Sequence, residues 1–282
     1  MDKKIKKLKN FLIGMGRVVV AYSGGLDSTF LLKAAVDTLG RENVLAVTAR
    51  SQTYPVSEYR EAVKVARLIG ARHLTIDTDE LNIKHFRANP VNRCYYCKKE
   101  LFKKIDGIKN EYGMKYVLDG TNHDDLKDVR HGTKAAMELK IKRPLLEAGI
   151  TKADIRRFSK ALGLPTWDKP SFACLASRFP FNSRIDEDGI KKVGEAEEYL
   201  RKLGFKQVRV RMHGDIARIE MLPADFGKAV RFSKEITVKL KRSGFVYVSL
   251  DLAGYRTGSM HEAAVTLRRR NPLCRGVNRP SV

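Results

Sequence analysis

The residues of this 282-residue chain best suited to chemistry stand in one run, Ser23-Gly24-Gly25-Leu26-Asp27-Ser28. Three apolar residues, Val18 to Val20, precede it and a helical pattern follows, which places a glycine turn at the end of a strand. Glycines let backbone N–H groups approach anionic oxygens, the serines add hydroxyl donors, and the helix N-terminus adds partial positive charge. The run therefore predicts a phosphate site, although it lacks the Gly-Lys-Ser/Thr ending of a Walker loop.

A second polar cluster follows another predicted strand. The strand that ends at Asp119 runs into Gly120-Thr121-Asn122-His123-Asp124-Asp125. In an open parallel sheet the C-terminal ends of the strands line the ligand crevice, so we expect this cluster to face the phosphate loop. Taken alone, Asp124 and Asp125 would as readily be solvated turn residues.

Four cysteines occur: the pair Cys94-Tyr-Tyr-Cys97, then Cys174 and Cys274 far along the chain. In a cytosolic enzyme this spacing indicates a metal or catalysis before disulfides, and the alternative is a half zinc site or two buried thiols. Cys274 lies in the basic tail and is left out of the site, although it could complete a four-cysteine set. Three basic residues are expected to lower the pKa values of the neighbouring thiols: Arg93, Lys98 and Arg178.

Arg209 and Arg211 stand two residues apart in a predicted strand and should share one face of their sheet. Arginine binds phosphate through two parallel hydrogen bonds, so the pair is suited to clamping a phosphate. An exposed basic strand face would explain the two arginines equally well.

Short β-branched runs alternate with longer amphipathic stretches from Arg17 to about Asn122, which predicts an α/β fold with a parallel sheet wrapped by helices. The expected strands are Arg17–Tyr22, Asn43–Thr48, His73–Asp77 and Lys115–Asp119. The expected helices are Ser28–Leu39, Ser57–Ile69, Lys98–Tyr112 and one that begins at the N-cap Thr151, with Asp154 in capping-box spacing, and ends near Gly163.

The order of elements changes beyond Asp186 and predicts a smaller α+β unit. Its expected elements are a helix at Gly189–Leu203, strands at Gln207–Met212 and Ile216–Met221, a helix at Phe226–Arg242 and a strand at Phe245–Asp251. Pro165 to Asn182 has almost no periodicity and is read as the junction. We therefore expect a nucleotide domain at 1–168, a cysteine-bearing loop at 169–185, and a substrate or oligomerisation domain at 186–282.

Lys and Arg total 55 against 32 acidic residues, a net charge of +23. Such a field attracts phosphorylated small molecules, nucleotides or RNA, and adaptation to heat is an alternative explanation. There is no run of about 18 apolar residues, and no apolar block behind the charged N-terminus is long enough for a signal peptide. We expect a cytoplasmic protein with no membrane segment.

The phosphate run resembles the Ser-Gly-Gly-x-Asp-Ser signature of PP-loop ATP pyrophosphatases, which cut ATP between the α and β phosphates. Within that superfamily the chain resembles the LarE family of sulfur transferases over nearly its whole length. The order of five segments along the chain carries the resemblance. They are Asn92-Arg93-Cys94-Tyr-Tyr-Cys97-Lys98, Gly120-Thr121-Asn122-x-Asp124-Asp125, Cys174-Leu-Ala-Ser-Arg178, Arg209-Val-Arg211 and Asp251-Leu-Ala-Gly-Tyr-Arg-Thr-Gly-Ser259.

The resemblance implies conversion of pyridinium-3,5-biscarboxylic acid mononucleotide into its bisthiocarboxylic form, for the nickel-pincer nucleotide. It implies ATP, Mg²⁺ bound by Asp27, and a homo-oligomer. Two sulfur sources are implied as alternatives: a 4Fe-4S cluster on Cys94, Cys97 and Cys174 that receives sulfide from a sulfide donor or a cysteine desulfurase, or the sulfur of Cys174 itself, which is sacrificed. The implied nucleotide-binding residues are Ala21, Ser23, Gly24, Gly25, Asp27, Ser28, Thr48, Gly120, Thr121, Asn122 and Asp125. Those implied for the substrate phosphate are Arg209, Arg211, Ser177, Arg178, Glu198 and Glu220.

Three other functions stay open on the sequence. A PP-loop tRNA thiolase fits the positive charge, but no zinc-ribbon cysteine pairs and no RNA-binding module are recognisable. An amide-forming PP-loop ligase would need no cysteines. A protein that senses nucleotide or binds RNA without turnover would keep the fold but release no pyrophosphate.

Overall fold

The computed structural model describes residues 2–127, 131–170 and 172–260 and divides the chain into two compact units. The first unit holds Met1–Phe86 and Asn92–Cys174, and the second holds Arg87–Val91 and Leu175–Val282. The division between Cys174 and Leu175 falls inside the segment 169–185 that the sequence marks as a junction. Cys274 and the basic tail lie outside the described residues.

The first unit is built on a parallel sheet of four strands in the order β3-β2-β1-β4. The two central strands, β2 and β1, lie where the sequence predicts them, because each is a short apolar run between polar turns. The predicted α/β class is confirmed. The strands are β1 Val18–Ala21, β2 Val44–Arg50, β3 Arg72–Asp77 and β4 Tyr116–Leu118.

Helices cover both faces of this sheet. Val18 and Val20 of β1 pack into one core with Leu12 of the first helix, whereas Val19 packs into a second core with Phe102. The strand is buried on both sides, as a central parallel strand requires. The helices are α1 Lys3–Met15, α2 Leu26–Leu39, α3 Val56–Ile69, α4 Lys84–Arg87, α5 Arg93–Glu111, α6 His131–Glu138, α7 Pro144–Glu147 and α8 Lys152–Ala161.

Several helices of this unit differ from the sequence prediction: α1, α4, α6 and α7 are not predicted, and α5 begins earlier than predicted. Helix α1 is not predicted, because its lysines hide an apolar stripe that buries Leu8, Leu12 and Met15. Helix α5 begins at Arg93 instead of Lys98, so Cys94 and Cys97 lie in its first turns, one turn apart. Spacing by three residues places the two thiols on neighbouring positions of one helix face.

The second unit combines a three-stranded sheet, in the order β5-β6-β7, with helices. Strands β5 and β6 form an antiparallel hairpin, and β7 adds to β6 in parallel. The predicted single helix at Phe226–Arg242 is wrong: it breaks at Phe232, and the absence of Gly or Pro at the break leaves no signal in the sequence. The elements are α9 Glu187–Lys202, β5 Val208–His213, β6 Ile216–Met221, α10 Phe226–Arg231, α11 Ser233–Arg242 and β7 Tyr247–Leu250.

Across the described part of the chain, no helix combines the length and the apolar character needed to cross a membrane.

Candidate active site

The phosphate loop connects the end of β1 to the start of α2. Its turn needs glycine at Gly24, where φ is +62° and an added Cβ would lie 2.5 Å from the Cβ of Ala62. Ser28 braces the loop: its Oγ accepts a hydrogen bond from the backbone N–H of Ser23 at 3.3 Å and shares another with Ser23 Oγ at 3.1 Å. The loop is thus shaped by its own residues, as a preorganised anion site requires.

The end of β4 closes against this loop. An added Cβ at Gly120 would lie 3.0 Å from the backbone nitrogen of Ser28, so glycine allows the two chain segments to approach. Next to it, Asp119 accepts hydrogen bonds from Lys98 Nζ at 2.6 Å and from the backbone N–H of Thr121 at 2.8 Å. Burial alone would raise the pKa of Asp119, but the Lys98 charge and these hydrogen bonds outweigh it and lower the pKa to about 2.

A cavity of about 340 Å³ opens where these segments meet, wholly within the first unit. Thr48 is buried in its wall, where its hydroxyl donates to Tyr22 O at 2.8 Å. Gly24 and Asn122 are outside the cavity lining. The predicted nucleotide and sulfur residues that the cavity does bring together are Ala21, Ser23, Gly25, Asp27, Ser28, Thr48, Gly120, Thr121, Asp125 and Cys174.

Cys97 and Cys174 are half-buried, whereas Cys94 is exposed. Cys97 lies beside a carboxylate. Its Sγ lies 4.0 Å from Oε1 of Glu80, a buried carboxylate that also lines the cavity. Burial first, and then the charges of Glu80, Cys174 and Cys94, raise the pKa of the Cys97 thiol well above its usual value. The expectation of a lowered thiol pKa is therefore wrong for Cys97, because burial outweighs the nearby ammonium of Lys98.

Cys94 and Cys174 are each close enough to Cys97 to affect its pKa, yet Cys94 is exposed at the helix start. Among residues 2–127, 131–170 and 172–260, no group of three or more His, Cys, Asp or Glu side chains is arranged to hold a metal ion.

Arg209 and Arg211 lie on one face of β5 in the second unit, opposite Glu220 and Arg218 of β6. Both arginines are buried, so the reading as an exposed basic strand face is wrong. Arg211 forms an ion pair with Glu220 at 2.8 Å and donates to Ser177 O at 3.0 Å. Burial first, and then the charge of Arg178, lowers the pKa of Arg209 to about 10.

Arg178 is fully buried and forms a two-pronged ion pair with Glu197 of α9, at 2.7 and 2.8 Å. Glu197 also accepts from Arg201 and from the backbone N–H of Val210, which joins α9 to β5. The neighbouring Glu198, predicted for the site, instead forms an exposed ion pair with Lys202. A role for Glu198 stays a prediction. The carboxylate that joins Arg178, Arg201 and Val210 is that of Glu197.

Comparison with known proteins matches residues 4–100 to the NAD synthase family model. The chain is 41% identical to the pyridinium-3,5-bisthiocarboxylic acid mononucleotide synthase of Lactiplantibacillus plantarum, over 87% of this chain and 89% of that protein. The chain belongs to the LarE family. Other relatives of similar coverage include uncharacterised proteins of Synechocystis, 41% identical over 93% of this chain and 98% of theirs, and of Methanocaldococcus jannaschii, 34% identical over 90% and 98%.

Membership of the LarE family makes this chain a PP-loop enzyme. The sequence reasoning missed one residue that contacts its phosphate loop. Lys152, the first residue of α8, extends its ammonium to Oδ2 of Asp27 at 2.5 Å. A lysine in the first turn of a helix opposes the helix dipole, and this unfavourable placement is the signal that could have revealed it. Its backbone N–H donates to Asp124 at 2.8 Å, which ties α8 to the turn after β4.

Proposed function

We propose that this LarE-family enzyme uses ATP to convert the carboxylates of pyridinium-3,5-biscarboxylic acid mononucleotide into thiocarboxylates. The observation that carries the proposal is the cavity in which Cys174 and the phosphate loop share one wall. The name of the L. plantarum relative supports the same product. We place the reaction in the cytoplasm and expect a homo-oligomer.

The order of chemical steps follows from the poor reactivity of a carboxylate. A substrate carboxylate oxygen attacks the α-phosphorus of ATP, and an acyl-adenylate forms as pyrophosphate leaves. The Ser23-Gly24-Gly25 turn and the N-terminus of α2 stabilise the charge of the leaving pyrophosphate. A sulfur nucleophile then attacks the acyl carbon, AMP leaves, and the thiocarboxylate remains.

Asp27 is the residue that would hold Mg²⁺, because its carboxylate projects into the cavity beside the phosphate loop. A hard cation prefers carboxylate and phosphate oxygens, and when bound it neutralises charge on the phosphates. The ammonium of Lys152 lies against the same carboxylate. Lys152 and Mg²⁺ would therefore compete for Asp27.

Cys94, Cys97 and Cys174 would hold a 4Fe-4S cluster, and three thiolates leave one of the four irons available. When bound, such a cluster supplies sulfide for transfer, renewed by a sulfide donor or a cysteine desulfurase. The fit rests on the donor set: two thiols lie one helical turn apart on α5, a third lines the cavity, and Cys94 and Cys174 each act electrostatically on Cys97. The alternative source is Cys174 itself: its thiolate would displace AMP to form a thioester, and loss of the Cα proton with cleavage of the Cβ–S bond would then release the thiocarboxylate and leave dehydroalanine.

We assign recognition of the substrate phosphate to the second unit. Arg178 and Arg211 each have a carboxylate partner, in Glu197 and Glu220, so these pairs fix the geometry of the β5 face. Burial lowers the pKa of Arg209, whose guanidinium lies 5.6 Å from the centre of the Tyr255 ring, and a bound phosphate would add a further favourable interaction with its charge. Ser177 and Glu198 complete the residues proposed for this face.

The test is a single reaction without oxygen. Purified protein receives MgATP and the biscarboxylated pyridinium mononucleotide, and both the product and the intact protein mass are recorded. Product beyond one sulfur per chain with unchanged protein mass would assign the sulfur to the cluster, and loss of one H₂S from the protein would assign it to Cys174. The absence of thiocarboxylate together with salt-dependent tRNA binding would replace the proposal with tRNA thiolation.

A further inference from the structure

Two side chains donate hydrogen bonds to consecutive carbonyls of the phosphate loop. The Tyr54 hydroxyl donates to Ser23 O at 2.6 Å, and Lys169 Nζ donates to Gly24 O at 3.3 Å. Burial raises the pKa of Tyr54, so its hydroxyl keeps its proton and remains a donor. Neither contact belongs to the chemistry described above.

Both donors are connected to the residues just before Cys174: Tyr54 through a ring contact, and Lys169 through its own place in the chain. The ring of Phe172, two residues before Cys174, meets the Tyr54 ring edge-on at 6.1 Å between centroids. Lys169 is held from a second side by Glu58 of α3, at 2.8 Å. The carbonyl of Lys169 in turn accepts a hydrogen bond from Arg156 of α8 at 3.2 Å. This contact anchors residues 167–174, the Cys174 segment.

The carbonyls that accept these bonds belong to the peptide groups that supply the loop N–H donors. Ser23 C=O shares its peptide group with the N–H of Gly24, and Gly24 C=O shares its own with the N–H of Gly25. A donor on the carbonyl polarises the peptide group and strengthens donation from its N–H side, most of all when the donor is an ammonium. Anion binding at these N–H groups and docking of the segment at the carbonyls of the same peptide groups should therefore favour each other.

We propose that Tyr54 and Lys169 are positioning residues that fasten the Cys174 segment to the phosphate loop and couple pyrophosphate on the loop to the placement of the sulfur site. The inference rests on the proposed function, because it takes the loop to bind pyrophosphate and Cys174 to act in sulfur transfer. By linkage, removing either contact should weaken both docking of the segment and binding of the anion.

The segment contains its own reporter. Trp167 is the single tryptophan of the chain, two residues before Lys169, and its carbonyl accepts from Arg156 at 2.8 Å. Magnesium pyrophosphate is titrated into the full-length protein while Trp167 emission is followed, and pyrophosphate affinity is measured separately by calorimetry. In Lys169→Met and Tyr54→Phe we expect the saturating emission change to fall at least about fivefold, with weaker pyrophosphate binding.

Two control variants remove the same groups away from the loop. Lys64→Met removes an exposed lysine from the helix that carries Glu58. Tyr59→Phe removes a hydroxyl that bonds Thr75 at 3.0 Å. Both controls should retain the wild-type emission change, and melting temperatures identify any variant that has lost its fold. In the positioning variants, thiocarboxylate formation should slow about tenfold or more while ATP–pyrophosphate exchange slows less.

The outcomes separate this inference from the proposed function. Wild-type emission changes in both positioning variants would overturn the inference, as would pyrophosphate binding to the wild type without any change in Trp167 emission. Either result leaves the proposed function standing. A wild-type protein that binds neither pyrophosphate nor MgATP would overturn both.

Discussion

The two units use charged side chains in opposite ways. Beside the phosphate loop, the Lys152–Asp27 pair keeps 35% and 24% of its side-chain surface exposed, whereas the Arg178–Glu197 pair of the second unit has none exposed. A partly solvated pair exchanges its partner for a ligand at little cost, while a buried pair cannot lose a partner without leaving an uncompensated charge. The first unit therefore holds charges ready for exchange, and the second holds them fixed as a frame.

Removing Glu197 is the strongest way to test this contrast. Glu197→Ala leaves Arg178 buried without its carboxylate and removes the acceptor of the Val210 N–H, so we expect a loss of about 3–5 kcal/mol in the free energy of unfolding. Urea denaturation followed by circular dichroism measures it. Glu198→Ala, one residue along the same helix, breaks an exposed pair with Lys202 and should cost about 1 kcal/mol or less. Equal losses in the two variants would refute the idea of a fixed frame.

Gly24→Ala should have the next largest effect. The positive φ costs about 1–2 kcal/mol for any L side chain, and the overlap with Ala62 adds about 1–3 kcal/mol of strain. Pyrophosphate binding, measured by calorimetry, should weaken at least about tenfold because the loop must shift. Gly163→Ala provides the control: its φ is +65° but an added Cβ meets nothing within 4 Å, so it should show only the smaller conformational cost.

Asp119 gives the first unit a pH dependence of defined sign. Its folded pKa of about 2 lies below its ordinary value of 3.8, so its stabilising contribution is present above about pH 4 and is lost as the pH falls toward 2. The shift corresponds to about 2 kcal/mol. Between pH 4 and pH 2 the wild type should lose about that much more stability than Asp119→Asn, measured by urea midpoints at each pH. Parallel curves for the two proteins would contradict the assignment.

The sequence predicts the parts of this molecule that are local. Apolar runs identify the four strands of the first sheet, and Ser23 to Ser28 identifies the phosphate loop, because strand and turn are each specified within a few residues. Contacts across the chain leave no such trace. Lys152 meets Asp27 across 125 residues, and Lys169 meets Gly24 across 145.

Two other features of the site depend on orientation and burial. Glu197 and Glu198 are chemically identical neighbours, and only the rotation of α9 against β5 decides which of them is buried with Arg178. Cys97 has a basic neighbour in sequence, yet the pKa of its thiol is raised because burial outweighs that charge. Residue types therefore identify the candidates, and packing selects among them.

Lys152→Met should have the smallest effect on stability and the clearest effect on metal dependence. The pair with Asp27 is partly exposed, so its loss should cost about 1 kcal/mol or less in the free energy of unfolding. If Asp27 holds Mg²⁺ as proposed, the ammonium competes for the same carboxylate, so the Mg²⁺ concentration that gives half-maximal ATP–pyrophosphate exchange should fall by about threefold to tenfold, the change that about 1 kcal/mol of competition produces.

Lys33→Met is the control. Lys33 lies on α2, the helix that carries Asp27, and its substitution breaks a comparable pair with Asp37 away from the cavity, so the Mg²⁺ dependence should stay unchanged. Lys152→Arg retains a cation next to Asp27 and should restore most of the wild-type Mg²⁺ requirement. If Lys152→Met instead raises that requirement, the ammonium assists the cation rather than competing with it, and the charges of the first unit are as fixed as those of the second.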